Sequence, residues 1–197
     1  AGYPAWQLYL FSGLLAVLAA LVARQLVQNH MGRTHLELLR DANLAIGHRL
    51  QHIATGLGRV YHDVDTTAGV IDHLVVGANG VYAINVFAAS PVANGHVTLD
   101  NNTLRFKPTD KTQSIVAMGK RIAALERAFR RLLDHRVRVR SVIAVPGWDV
   151  HEQAGDEHLV VNERSLSMLC GWKDQADFLL SEDLESLQQM LGRATPA

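Results

Sequence analysis

Val70-Ile71-Asp72-His73-Leu74-Val75-Val76, then Gly77-Ala78-Asn79-Gly80, then Val81-Tyr82-Ala83-Ile84-Asn85-Val86-Phe87 is the stretch whose reading decides the fold. Two runs rich in β-branched and aromatic residues flank a turn, and Asn79-Gly80 is a strong short-range hairpin signal. The pattern predicts two tightly joined antiparallel strands. Just upstream, Arg59 to Val64 reads as a further strand, followed by Thr66, Thr67 and Gly69. Downstream, His96 to Phe106 predicts a second, weaker hairpin that turns at Asp100-Asn101-Asn102.

Helical periodicity brackets these strands. Over residues 29 to 57, Leu36, Leu39, Ile46, Leu50, Ile53 and Leu57 form an apolar stripe that Gly56 and Gly58 end. Thr112 to His135 is the clearest helix, with Ile115, Met118, Ile122, Leu125, Phe129 and Leu132 spaced alternately by three and four. Val137 to Val145 predicts a strand, with Arg136, Arg138 and Arg140 alternating outward before Val142-Ile143-Ala144-Val145, and Pro146-Gly147 stops it. His158 to Val161 reads as a short strand, and Ser165 to Cys170 and Glu182 to Leu191 as helices. Ser181-Glu182-Asp183 puts acidic groups where the last helix dipole favours them. Helix, three strands, long helix, strand, strand, helix describes a mixed α/β sandwich.

The N-terminal segment carries a different signal. Ala5 to Val22 reads AWQLYLFSGLLAVLAALV, interrupted by only Gln7 and Ser12, and the first charge is Arg24. A helix from Tyr3 to Ala23 would be about 30 Å long, enough for a bilayer core. Trp6 and Tyr9 suit an interfacial belt, and Gly13, Ala16 and Ala20 make a small-residue strip for helix contact. With no Lys or Arg before the run and Arg24, Arg33 and Arg40 after it, the positive-inside rule predicts a single-pass protein of the inner, cytoplasmic membrane. Its C-terminal domain would lie in the cytoplasm. The expected layout is therefore an anchor over residues 1–28, a linking amphipathic helix over 29–57 and an α/β domain over 58–197.

Bulk composition is globular, and the formal net charge is zero, so any polyanion partner needs a local patch. The single cysteine, Cys170, excludes a disulfide framework and a cysteine metal cluster within this chain and reads as a core thiol. His48 and His52, four apart on a helix near Asn43, have metal-compatible spacing but no third firm ligand.

Ile71-Asp72-His73-Leu74-Val75-Val76 followed by Asn79-Gly80-Val81-Tyr82-Ala83-Ile84 resembles the NERD (nuclease-related) domain, part of the larger group with a restriction-endonuclease-like PD-(D/E)xK core. That pattern is an Ile-Asp-His strand, a turn ending in Gly, and a strand closing on Ile-Glu-x-Lys. A Pro and then a Gln at the start of a long helix follow, matched by Pro108 and Gln113. The resemblance covers about residues 44–165. It implies a site in which two carboxylates hold a divalent cation against the scissile phosphate and a lysine positions water. Asp72 keeps the first carboxylate, but Asn85 stands at the glutamate and Phe87 at the lysine, and Gly47-His48 stands where Gly-Glu is frequent. The resemblance thus implies a restriction-endonuclease-like domain with vestigial positions Asp72, Asn85, Phe87, Gln113 and His48, with no catalysis, metal or cofactor expected.

From Lys120 to Arg140 the chain holds eight Lys or Arg against Glu126 and Asp134. Lys120, Arg121, Arg127, Arg130, Arg131 and Arg138 make a candidate patch for nucleic acid, anionic lipid or an acidic protein face. A solvated helix face is the plainer reading. No aromatic side chains interleave with these arginines, which argues against stacking on single-stranded bases. The expected function is a non-catalytic accessory or scaffold subunit bound to another membrane protein. The alternatives are a membrane-tethered nucleic-acid-binding module, a residual metal-dependent nuclease, and an enzyme with a relocated site using Asp72, His73 or His48. Asp72 and His73, adjacent on a strand, are expected to point to opposite faces.

Overall fold

The computed structural model describes residues 5–152, 157–172 and 174–194, without side-chain surroundings for 5–12, 26–33, 152 and 194. The chain divides into two units, Ala1–Leu38 and Leu39–Ala197. One helix, α1 (Ala5–Leu57), begins in the first unit and ends in the second.

Among the described residues, no helix is long and apolar enough to cross a membrane. This corrects the expected span over Tyr3 to Ala23, and with it the single-pass inner-membrane placement and the cytoplasmic orientation. The apolar run that suggests a span ends at Ala23. Beyond it α1 continues through Arg24, Arg33, Glu37, Arg40 and Asp41. Gly13, Ala16 and Ala20 are exposed on this helix, and the side chains of Trp6 and Tyr9 lie outside the described residues.

In the second unit the end of α1 buries Ile46, Leu50 and Leu57 of the expected stripe and half-buries Leu39 and Ile53, whereas Leu36 of that stripe is exposed. Gly58, at φ +134°, then turns the chain. The strands β1 (Arg59–Thr66), β2 (Gly69–Gly77) and β3 (Gly80–Val86) form an antiparallel meander. Gly77 pairs with Gly80 across the two-residue loop Ala78-Asn79, as the hairpin signal predicts. Gly77 is needed for a second reason: a Cβ there would collide with the Leu57 carbonyl at the end of α1.

After the α2 helix (Val116–Leu133), β7 (Val139–Ala144) returns parallel to β3, and β9 (His158–Val161) lies parallel to β7. The resulting five-stranded sheet has the order β1-β2-β3-β7-β9. Met118, Ile122, Leu125 and Phe129 of α2 are buried in the same core as Leu74, Ala83 and Ile143 of this sheet. A third helix, α3 (Ser181–Ala194), adds Leu187 and Leu191.

A second sheet is an addition to the predicted layout. The expected hairpin forms as β4 (His96–Asp100) and β5 (Thr103–Lys107), turning through Asn101 and Asn102 in left-handed conformation. Two unpredicted strands complete it: β6 (Lys111–Ser114) beside β5, and β8 (Asp149–Glu152) parallel to β4. Because the backbone of residues 111–114 pairs with β5, α2 starts at Val116, four residues after the expected start at Thr112. The segment around Cys170 is a 3-10 turn (Leu166–Cys170) rather than an α-helix.

Candidate functional site

Asp72 and Asn85 come together by strand register. The paired register of β2 and β3 ends at His73↔Ile84; Asp72 and Asn85 are the next residue on each strand, and by alternation both side chains lie on the side of the sheet that α2 covers. Asp72 Oδ2 accepts the Val86 N–H at 2.8 Å. Asn85 is 1 % exposed, and its Oδ1 accepts Nη1 of Arg121 at 3.1 Å. The Asn85 Nδ2 is buried with no hydrogen-bond partner among the described residues. Arg121 reaches this point from the edge of the buried face of α2, its side chain passing over Gly69, where a Cβ would stand 3.4 Å from its Nε.

Charge around Asp72 is balanced by opposing influences. Burial pushes its carboxyl above the ordinary value; the Val86 N–H and the Arg121 charge pull it back, and Asp63 pushes it up. Asp63 is exposed and in left-handed conformation (φ 51°), and it interrupts the pairing of β1 with β2 between His62↔His73 and Val64↔Ile71. Phe87 is partly buried against the core, and its N–H is bonded to the Ala144 carbonyl. Gln113 lies in β6 rather than at the helix start, and its Nε2 donates to the Ala88 carbonyl at 3.0 Å, one residue past Phe87. The sequence places Arg121 only in a surface patch, and its position beside Asn85 is visible only in three dimensions.

A family model for the nuclease-related domain, NERD, matches residues 40–146, more than half of the chain. The chain belongs to the NERD family. No curated protein and no solved structure matches it.

The NERD match takes in the last part of α1, where His48 is exposed and Gly47 is buried. It is Gly47 that approaches the strands: a Cβ there would lie 3.4 Å from His73 Cε1 and 3.5 Å from His62 Cε1. His62 and His73 share a hydrogen bond between their Nδ1 atoms at 2.8 Å, one ring donating and the other accepting. His73 is 5 % exposed, and burial first, then the neighbouring His62, lowers its pKa to about 4. The Asn43 main chain works weakly the other way, short of a full bond, since His73 Nε2 is buried without one. His73 thus faces α1 while Asp72 lies near Arg121, so adjacent strand residues serve opposite faces, as expected. Among the described residues, no group of three or more His, Cys, Asp or Glu is placed to hold a metal ion.

The basic run of the NERD domain divides into three environments. Lys120, Arg127, Arg130, Arg131, Arg136 and Arg138 are exposed, and the described ion pairs include none of them. Arg121 turns inward to Asn85. Arg140, expected to point outward, is 6 % exposed. Its Nε is 2.6 Å from Asp177 Oδ2, its Nη1 donates to the Trp172 carbonyl at 2.9 Å, and its guanidinium lies 4.8 Å from the Trp172 ring centre. The correction has a simple cause: β7 is an interior strand covered on both faces, so alternation along it does not lead to solvent.

Proposed function

We propose that this NERD domain works by binding rather than by cleavage, and that its ligand is nucleic acid held through phosphate contacts. One observation carries the reading. At the position of the motif's second carboxylate stands Asn85, a neutral amide whose side-chain oxygen accepts a hydrogen bond from Arg121. Phe87, at the position of the lysine, packs into the core and offers no group to orient water. The helix–three strands–helix–strand order of α1, β1–β3, α2 and β7 supports a restriction-endonuclease-like core, with Asp72, Asn85, Phe87, Gln113 and His48 as positions of a degenerate site. The exposed cations Lys120, Arg127, Arg130, Arg131 and Arg138 supply the phosphate-binding surface.

A second reading is an accessory subunit that docks an acidic or apolar protein face. It is favoured by an open groove of ≈ 410 Å³ between α2 and α3, lined by Leu132, Ser186, Gln189, Met190 and Arg193. Fluorescence anisotropy of labelled duplex and single-stranded oligonucleotides with the full chain separates the two. Binding at low salt without cleavage in Mg²⁺ or Mn²⁺ is the expected result. Cleavage that Asp72→Ala abolishes would overturn the non-catalytic reading, and absence of binding at low salt would leave the accessory reading in place.

A further inference from the structure

The NERD pattern implies a divalent cation between two carboxylates, and the residues present here do not fit one. A hard cation such as Mg²⁺ needs several oxygen donors free to approach it. Asp72 Oδ2 is bonded to the Val86 N–H, and Asn85 Oδ1 is bonded to a guanidinium. The remaining polar atom of the Asn85 side chain is a buried amide nitrogen without a partner among the described residues, a donor that cannot ligate a cation. The orientation of that amide follows from its neighbour: Arg121 can only donate, so the oxygen must face it. Phe87 contributes no donor.

Arg121 has the geometry to stand in for the ion. It lies on the flank of α2 next to Ile122, which is buried in the core, and this fixes its Cα against the sheet. Its stem crosses Gly69 at the start of β2, and its guanidinium meets Asn85 while its charge acts on Asp72. A guanidinium is always charged and spreads that charge over a planar fork, so it neutralises the site without the dehydration a metal requires. We propose that Arg121 is the resident cation of this site, filling the place between Asp72 and Asn85 that a divalent ion would take and closing the site to such ions. This rests on the non-catalytic reading above but not on nucleic acid being the ligand.

The test is Mn²⁺ binding by the full chain, followed by calorimetry and by paramagnetic broadening of the Asp72 and Asn85 signals. The wild type is expected to show neither at millimolar Mn²⁺. Asn85→Asp alone should stay closed, because the new carboxylate pairs with Arg121. Asn85→Asp combined with Arg121→Ala frees two facing carboxylates, with Asp63 beside them, and should bind at least roughly tenfold more tightly than the wild type. Asp72→Asn in that background should abolish the gain. Broadening of Asp72 in the wild type would overturn the proposal, as would a double variant that keeps the wild-type circular dichroism spectrum and gains nothing. If the double variant does not fold, Arg121→Ala decides: the Asp72 carboxyl should titrate higher than in the wild type, and an unchanged titration overturns the proposal. Oligonucleotide binding by the wild type stands or falls separately, so the two readings fail in different experiments.

Discussion

His73 shows how one residue's environment becomes a property of the whole fold. Its ring is buried beside α1, bonded to His62, and holds its proton only below about pH 4. In the unfolded chain an ordinary histidine titrates near 6.5. Between those values the unfolded state binds a proton that the folded state refuses, so stability falls as pH falls through that window and is intact above it. The interval corresponds to about 3 kcal/mol for this residue at the acid end. Chemical denaturation followed from pH 7 to pH 4 should therefore show a steep loss in the wild type. His73→Gln, which keeps polarity but does not titrate, should flatten the profile whatever its stability at pH 7. An equally steep profile in the variant would place the acid sensitivity elsewhere. Asp72, next to it on the same strand, has a carboxyl that burial raises while the Val86 N–H and then the Arg121 charge pull it back.

At the scale of elements, local pattern carries the sequence reading well and pairing carries it poorly. The hairpin at Ala78-Asn79, the strand at residues 158–161 and the core face of α2 were legible because turn chemistry and a 3.6 period are written in adjacent residues. The second sheet was not, since β6 and β8 are four-residue strands whose only reason to extend is the partner each finds in β5 or β4. The site was legible by half: Asp72 and Asn85 lie on the two strands that the hairpin signal joins, but Arg121 is thirty-six residues from Asn85 in sequence. Arg140 departs from the outward alternation because β7 is an interior strand, and it yields a prediction. It ties interior strand β7 to the segment around Trp172 and Asp177 through a buried ion pair. Arg140→Met should destabilise by about 3–5 kcal/mol, because it leaves Asp177 buried and unpaired. Arg140→Met with Asp177→Leu should recover most of that loss in urea unfolding. Additive losses would show that the pair does not act as a unit.

For the whole molecule, nineteen basic and nineteen acidic residues cancel, so no long-range field draws a polyanion toward it. What the fold does is sort those charges. Glu126 spends its carboxylate on the Val139 N–H, and Asp183 on His135, leaving the exposed arginines of α2 and the loop after it without carboxylate partners among the described ion pairs. A neutral molecule with a concentrated basic face should bind nucleic acid by short-range counterion release, and the salt dependence of affinity then counts the contacts. Each phosphate contacted contributes about 0.9 to the slope of log K against log salt on a duplex. Three to five of the exposed cations acting together give a slope of about 3–5, lost steeply above physiological ionic strength. Changing Arg127, Arg130 and Arg131 to Ala together should lower that slope by up to about 3 and weaken binding alike for unrelated sequences. These side chains are exposed, so the melting temperature should stay within a few degrees of the wild type. A triple variant that binds as tightly as the wild type, with the same slope, would remove α2 from the interface and with it the proposal that this face reads phosphate.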